Sequence, residues 1–153
     1  MSKIEQKLAD MGFPLPAVAK PVAAYVPSVV TGNLCFTSGQ LPFVDGALPQ
    51  TGKVGRDVTA EDAKDLARLC ALNALAALKL AIGDLDRVTR IVKVVGFVSV
   101  VPEFTAIPGV INGASEFLGE VFGEVGSHAR SAVGVPALPL DSAVELEIIA
   151  EFK

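Results

Sequence analysis

The chain contains no tryptophan, one tyrosine, one histidine and two cysteines, and each scarcity removes a class of chemistry. One histidine excludes the paired-histidine zinc motifs, and Cys35 and Cys70 stand too far apart for a CxxC redox or zinc-ribbon pattern. An isolated disulfide is out of place in a reducing compartment, so both cysteines are expected as small core residues. Neither a dinucleotide-type glycine fingerprint after a strand nor a Walker-type phosphate loop occurs, so no cofactor and no metal is expected. With 13 Lys and Arg against 17 Asp and Glu, and no basic run, the chain lacks the clustered cations that phosphate neutralisation needs. Nucleic acid is therefore not the expected partner. No apolar stretch approaches the roughly 18 residues of a membrane span. Nor does a charged leader with an apolar segment and a small-residue cleavage site open the chain, which makes a cytoplasmic protein the simplest expectation.

What is abundant is apolar surface. Hydrophobic residues make up 51% of the 153 residues, and mean hydropathy is +0.51. That length suits one domain, here residues 1–153, but this much apolar surface exceeds what one core of that size readily hides. A homo-oligomer with no membrane contact is expected.

Hydrophobic period and punctuation divide the chain into an α+β pattern. Ser2 and Glu5 have capping-box spacing ahead of an Ile4, Leu8, Met11 stripe, and Gly12 stops a short leading helix. Pro14, Pro16 and Pro21 then mark an extended strap, so that residues 1–20 form a helix and strap rather than a separate domain. Tyr25 to Ser38 holds two β-prone runs around Thr31-Gly32-Asn33, and Val44-Asp45-Gly46-Ala47 supplies a second turn, predicting a three-stranded antiparallel meander. Thr59 caps a long helix that Gly83 ends; Val88 to Val101 reads as a central strand; Pro108 starts a second helix that Gly123 and Gly126 close. Ser131 to Val135 and Ala143 to Phe152 are closing strands. In the last, Val144, Leu146, Ile148, Ala150 and Phe152 face one way while Glu145, Glu147, Ile149 and Glu151 face the other. After the leading helix the expected order is β-β-β-α-β-α-β-β, with two main helices on one side of a mixed sheet.

Few residues can carry chemistry. After Lys93 the cations are Arg130 and the terminal Lys153, set among eight acidic residues. Arg130 is either the partner of one of those glutamates or a clamp for a small carboxylate. Glu145 is either an ordinary exposed residue or, if its face meets another subunit, a carboxylate that needs a site or a bridge. His128, beside glycine in a helix-to-strand loop, reads as a solvated loop residue rather than an acid or base. Ser38-Gly39-Gln40 offers backbone donors after an apolar strand, though glycine there is also an ordinary strand terminator.

Three segments tie these signals together. GNLCFTSGQLP (Gly32 to Pro42), VINGASEFL (Val110 to Leu118) and ARSAVGVPALPLDSAVELEIIA (Ala129 to Ala150) closely resemble the Rid family of reactive-intermediate imine deaminases, also called YjgF-like proteins. The resemblance covers about residues 20 to 152. It implies a chorismate-mutase-like α+β fold assembled as a homotrimer, with ligand clefts between subunits. The implied activity is cofactor-free hydrolysis of enamines and imines, such as 2-aminoacrylate, to keto acids and ammonia. Carried over by position, Arg130 would bind the substrate carboxylate in a bidentate fork worth roughly 1.5 to 3 kcal/mol, and Glu145 would hold or activate the attacking water. Tyr25, Ser38, Gly39, Asn112 and Ala132 would line the cleft. The best-known members have cysteine where Ala132 stands and Gly-Pro where Ala-Ala precedes Tyr25. With the N-terminal helix and a longer Phe104 to Asn112 segment, these departures resemble a divergent subgroup. The alternatives are a trimeric module that binds a small carboxylate without turnover, and the endoribonuclease activity attached to part of the family, which the acidic composition disfavours.

Overall fold

The computed structural model describes residues 1–18 and 24–153. It contains α1 (Lys3–Asp10), β1 (Ser28–Thr31), β2 (Leu34–Thr37), α2 (Ala60–Ile82), β3 (Val88–Ser99), α3 (Ile107–Phe122), β4 (Ala129–Val135) and β5 (Val144–Phe152). Part of the expected strap, Pro21 included, lies outside the described residues.

The first two helices begin where side-chain chemistry supplies partners for their free N–H groups, whereas α3 starts at Ile107-Pro108 with no side-chain cap. At α1 the Ser2 hydroxyl accepts from the Glu5 N–H and the Glu5 carboxylate accepts from the Ser2 N–H, the expected capping box. A second carboxylate, Asp86, accepts from the N–H groups of Lys3 and Ile4 at 2.9 Å each, and Lys79 pairs with Glu5. The leading helix is thus bolted to the far end of α2 and the turn after it, with Leu8 fully buried. Thr59 caps α2 through the Asp62 N–H at 3.1 Å, and Gly83 closes it at a φ of +86°.

The strands form one mixed sheet in the order β1-β2-β5-β3-β4, antiparallel except for the β3–β4 pair. A two-residue hairpin joins β1 to β2, with Gly32 in the left-handed region at a φ of +58°. The expected third strand of the meander does not form. Residues between β2 and α2 make isolated bridges, Gln40 to Leu146 and Val44 to Ala47 among them. Pro42 and Pro49 donate no hydrogen bond, and Gly46, Gly52 and Gly55 sit at positive φ, so no continuous ladder can run through them.

Alternation on β3 sorts the two faces. Val94 and Val98 are fully buried beneath the helices, and Gly96 leaves a notch filled by Ile111 of α3. At Gly113 the two main helices come together, for a β-carbon there would overlap the Lys64 carbonyl of α2. Cys35 and Cys70 are buried and free. Burial pushes the Cys70 thiol well above its usual pKa, and Glu145 adds to the effect, so it is a packing residue rather than a nucleophile. Among the described residues, the opposite face of the sheet carries no helix. Val29, Phe36 and Ile149 share one row across it, and Val29 is 54% exposed.

Candidate functional site

Arg130 lies on the edge strand β4, directly opposite Val94 of β3. Opposed residues point to the same side of a sheet, so Arg130 projects to the helix side, toward α3. There its Nη1 donates to Asn112 Oδ1 at 2.8 Å and to Ser115 Oγ at 3.1 Å. Among the described residues it forms no ion pair, so the glutamate partner that its acidic neighbourhood suggested is not what holds it. Two neutral acceptors aim the guanidinium while its positive charge stays uncompensated, the arrangement an anion needs.

Behind Ser115 stands a residue the sequence did not single out correctly. His128 is half-buried, and both ring nitrogens are engaged: Nε2 with Ser115 Oγ at 2.8 Å and Nδ1 with the Gly126 carbonyl at 2.6 Å. The carbonyl can only accept, so Nδ1 carries the proton and Nε2 accepts from the Ser115 hydroxyl. That leaves the Ser115 lone pairs facing Arg130. His128 therefore sets the orientation of a hydroxyl that orients the arginine. It is not a solvated loop residue, because the short turn Gly123–Gly126 folds the ring back onto α3. Ala132, two residues along β4 and opposite Gly96, projects to the same side and packs on the core beside this corner.

Glu145 occupies the other face. It opposes Phe97 of β3, three positions from Val94, and an odd separation puts the two members of the expected pair on opposite sides of the sheet. The Glu145 carboxylate packs against Gly39, where a β-carbon would overlap Oε1. Burial raises its pKa above the ordinary carboxylate value, and the neighbouring Glu147 on the same face raises it further. Gly39 and Glu145 open into a hollow of about 630 Å³ that also includes Tyr25. Ser38 does not line that hollow; its hydroxyl donates to the Val26 carbonyl at 2.6 Å and its N–H to the Pro27 carbonyl at 2.8 Å, tying the segment after Tyr25 against β2.

The seven expected site residues thus fall into two groups. Arg130, Asn112 and Ala132 share the β4–α3 corner, while Tyr25, Ser38, Gly39 and Glu145 gather around the hollow on the other side. Ser115 joins the first group without a prior sequence signal, since nothing in its type or spacing distinguishes it from solvated neighbours, and the sole histidine, His128, joins it against the loop reading given above. No group of three or more His, Cys, Asp or Glu side chains with metal-binding geometry occurs among the described residues. Among those residues, no helix is long and apolar enough to cross a membrane.

Comparison with known proteins points in one direction. Residues 5–152 match the family model described as "YjgF/chorismate_mutase-like, putative endoribonuclease". Protein TCP17 of Trypanosoma cruzi is 43% identical over 97% of this chain and 94% of its own length. The 2-iminobutanoate/2-iminopropanoate deaminase of Escherichia coli K12 is 33% identical over 84% of this chain and 88% of its own length. Among solved structures, the Agrobacterium tumefaciens protein Atu1372, of unknown function, superposes with a TM-score of 0.92 at 47% identity, covering 98% of this chain and 92% of that one.

Proposed function

The chain belongs to the YjgF/Rid family, and from that premise we propose that it hydrolyses reactive imino and enamino acids to keto acids and ammonia in clefts formed between copies of itself. The observation that carries this reading is the separation of the two half-sites. Arg130 is aimed and unpaired on one side of the sheet, Glu145 is half-buried with a raised pKa on the other, and a second copy is needed to bring such groups to one ligand. The uncovered sheet face supplies a surface for that copy. Its apolar row of Val29, Phe36 and Ile149, with Val133 at the β4 edge 44% exposed, is the kind of patch that monomers seldom leave bare. The proposed assembly is the homotrimer typical of the family, acting without a cofactor.

The chemistry asks little of the protein. Arg130 holds the substrate carboxylate in a two-pronged, charge-assisted contact, which fixes the imine carbon relative to Glu145. The ionised Glu145 removes a proton as water attacks that carbon, and the C=N electron pair passes to nitrogen, which is protonated. In the resulting carbinolamine the hydroxyl proton passes to the nitrogen, the C–N bond breaks with its electron pair going to the departing ammonia, and the oxygen forms the C=O of the keto acid. An enamine such as 2-aminoacrylate enters the same route after protonation at its methylene carbon. A carboxylate whose pKa is raised toward neutrality suits such a base better than a fully solvated one. Asn112 and Ser115 keep Arg130 in place, and Tyr25 closes the cleft.

The test is release of keto acid from freshly generated 2-aminoacrylate and 2-iminobutanoate. The protein should accelerate release above the solvent rate, and Arg130→Ala should cut that acceleration by one to two orders of magnitude, roughly the cost of one charge-assisted contact. No acceleration with any imino acid would rule out the proposal. A ligand-dependent rise in melting temperature that requires Arg130, without turnover, would replace it with a carboxylate-binding role.

A further inference from the structure

The hollow beside Glu145 is larger than a three- or four-carbon acid requires. Its volume of about 630 Å³ falls within the range of pockets that take drug-sized ligands. Beyond Gly39 and Glu145 the lining is mostly apolar, with Gln40, Asp45 and Asn73 as its other polar members, and three separate segments supply the apolar part. Pro16, Ala17 and Val18 of the strap form one wall, Leu41 and Phe43 another, and Leu140 stands at the rim.

Each wall is held by contacts of its own. At the start of the strap, Phe13 lies under the Arg68 guanidinium, 4.6 Å from ring centroid to Cζ, and meets the Phe117 ring edge-on at 5.6 Å. The N–H of Phe13 also donates to the Leu8 carbonyl at 2.9 Å. Across the hollow, the buried Asn73 amide donates to the carbonyls of Leu41 at 2.9 Å and Phe43 at 3.1 Å, which pins that loop to α2. At the rim, Leu140 and Asp141 have φ of +58° and +57°, a left-handed conformation that a bulky residue adopts only against strain. Leu140 is nonetheless 64% exposed.

We propose that this hollow is a side-chain subsite, and that the preferred substrates are imino acids with an extended apolar side chain, such as those derived from leucine, rather than the smallest members of the class. The inference rests on the Arg130–Glu145 reading above and adds to it the identity of the group that points away from the chemistry. The strap wall follows from the leading helix, because α1 and Phe13 fix where Pro16–Val18 run. Substrate preference and the N-terminal extension are thereby one feature.

The experiment is calorimetric titration of the full-length protein with pyruvate, 2-oxobutanoate and 4-methyl-2-oxopentanoate, which carry the product's carboxylate and carbonyl and need no turnover. Each added buried methylene should tighten binding about fourfold, so the last should bind roughly 60-fold better than the first. Ala17→Trp, at an exposed strap position, fills the hollow and should cost 4-methyl-2-oxopentanoate about tenfold while leaving pyruvate unchanged. Equal affinity across the series, or an Ala17→Trp variant that weakens every member alike, overturns the subsite. If affinities are equal yet vanish in Arg130→Ala, the anchor stands and the subsite falls. A rising series lost in Ala17→Trp but indifferent to Arg130→Ala keeps the subsite and removes the anchor. Failure of every acid to bind overturns both.

Discussion

Arg130 and Glu145 sit three register positions apart along β3, at Val94 and Phe97, yet their surroundings differ in kind. Arg130 belongs to a corner closed by hydrogen bonds, in which Asn112, Ser115 and His128 leave the guanidinium little choice of direction. Glu145 belongs to an open hollow in which a glycine makes room for the carboxylate and apolar residues withdraw water from it. One region binds by geometry; the other tunes a proton affinity. The difference is what the proposed function rests on: an aimed cation and a tuned carboxylate on opposite sides of one sheet, which two copies of the chain would bring to one ligand.

That contrast can be broken most severely at its charged end. Arg130→Ala should lower kcat/KM by roughly 10- to 150-fold, the range for losing one charge-assisted contact, and Arg130→Lys should recover little because an ammonium offers no planar fork. Steady-state kinetics with 2-iminobutanoate measure both. On the other side, Gly39→Ala should move the Glu145 carboxylate by steric overlap and cut kcat by about tenfold with a smaller change in KM. Unaltered kcat in the Gly39→Ala variant would mean that the carboxylate does not act at its observed position.

Smaller effects sharpen the comparison. Ser115→Ala removes one of two acceptors that aim Arg130 and should raise KM about three- to tenfold, with kcat nearly unchanged. The pH profile separates the regions further. Glu145 must be ionised to act as base, and burial together with Glu147 holds its pKa above the ordinary carboxylate value, so activity should rise with pH through that elevated pKa. Glu147→Gln removes the like charge and should move this limb to lower pH. The same shift has a consequence for stability. The pKa of Glu145 is higher folded than unfolded, so its contribution to stability is greatest at acid pH and is lost as pH rises through the folded value. Glu145→Gln should therefore melt at a higher temperature than the parent protein at neutral pH while losing activity.

The sequence was most legible where local chemistry decides the outcome. The capping box at Ser2, the stop at Gly83 and the alternation of β5 all appear in the fold within a residue or two, because each depends on neighbours a few positions away. The meander's third strand failed for the converse reason: its turn residues were real, as the Val44–Ala47 bridge shows, but prolines and positive-φ glycines deny it a ladder. At the candidate site, Arg130, Asn112 and Glu145 were named through resemblance, and the hydrogen bond between Arg130 and Asn112 is what the structure adds to that naming. Their distribution over two faces was not legible, because a register between β3, β4 and β5 is a long-range property. His128 was misjudged on similar grounds. Nothing in its spacing says that the turn after α3 will set its ring against Ser115, thirteen residues earlier.

The claim on which the rest depends is that one catalytic centre takes Arg130 from one copy and Glu145 from another. Mixing the impaired Arg130→Ala and Glu145→Gln proteins after reversible dissociation, with the residual activity of each subtracted, tests it directly. With random assortment into closed rings, about one quarter of the sites should receive an intact arginine and an intact glutamate, restoring about one quarter of parental activity. Activity that stays at the level of the two separate variants, in assemblies shown to have exchanged subunits, would contradict the account.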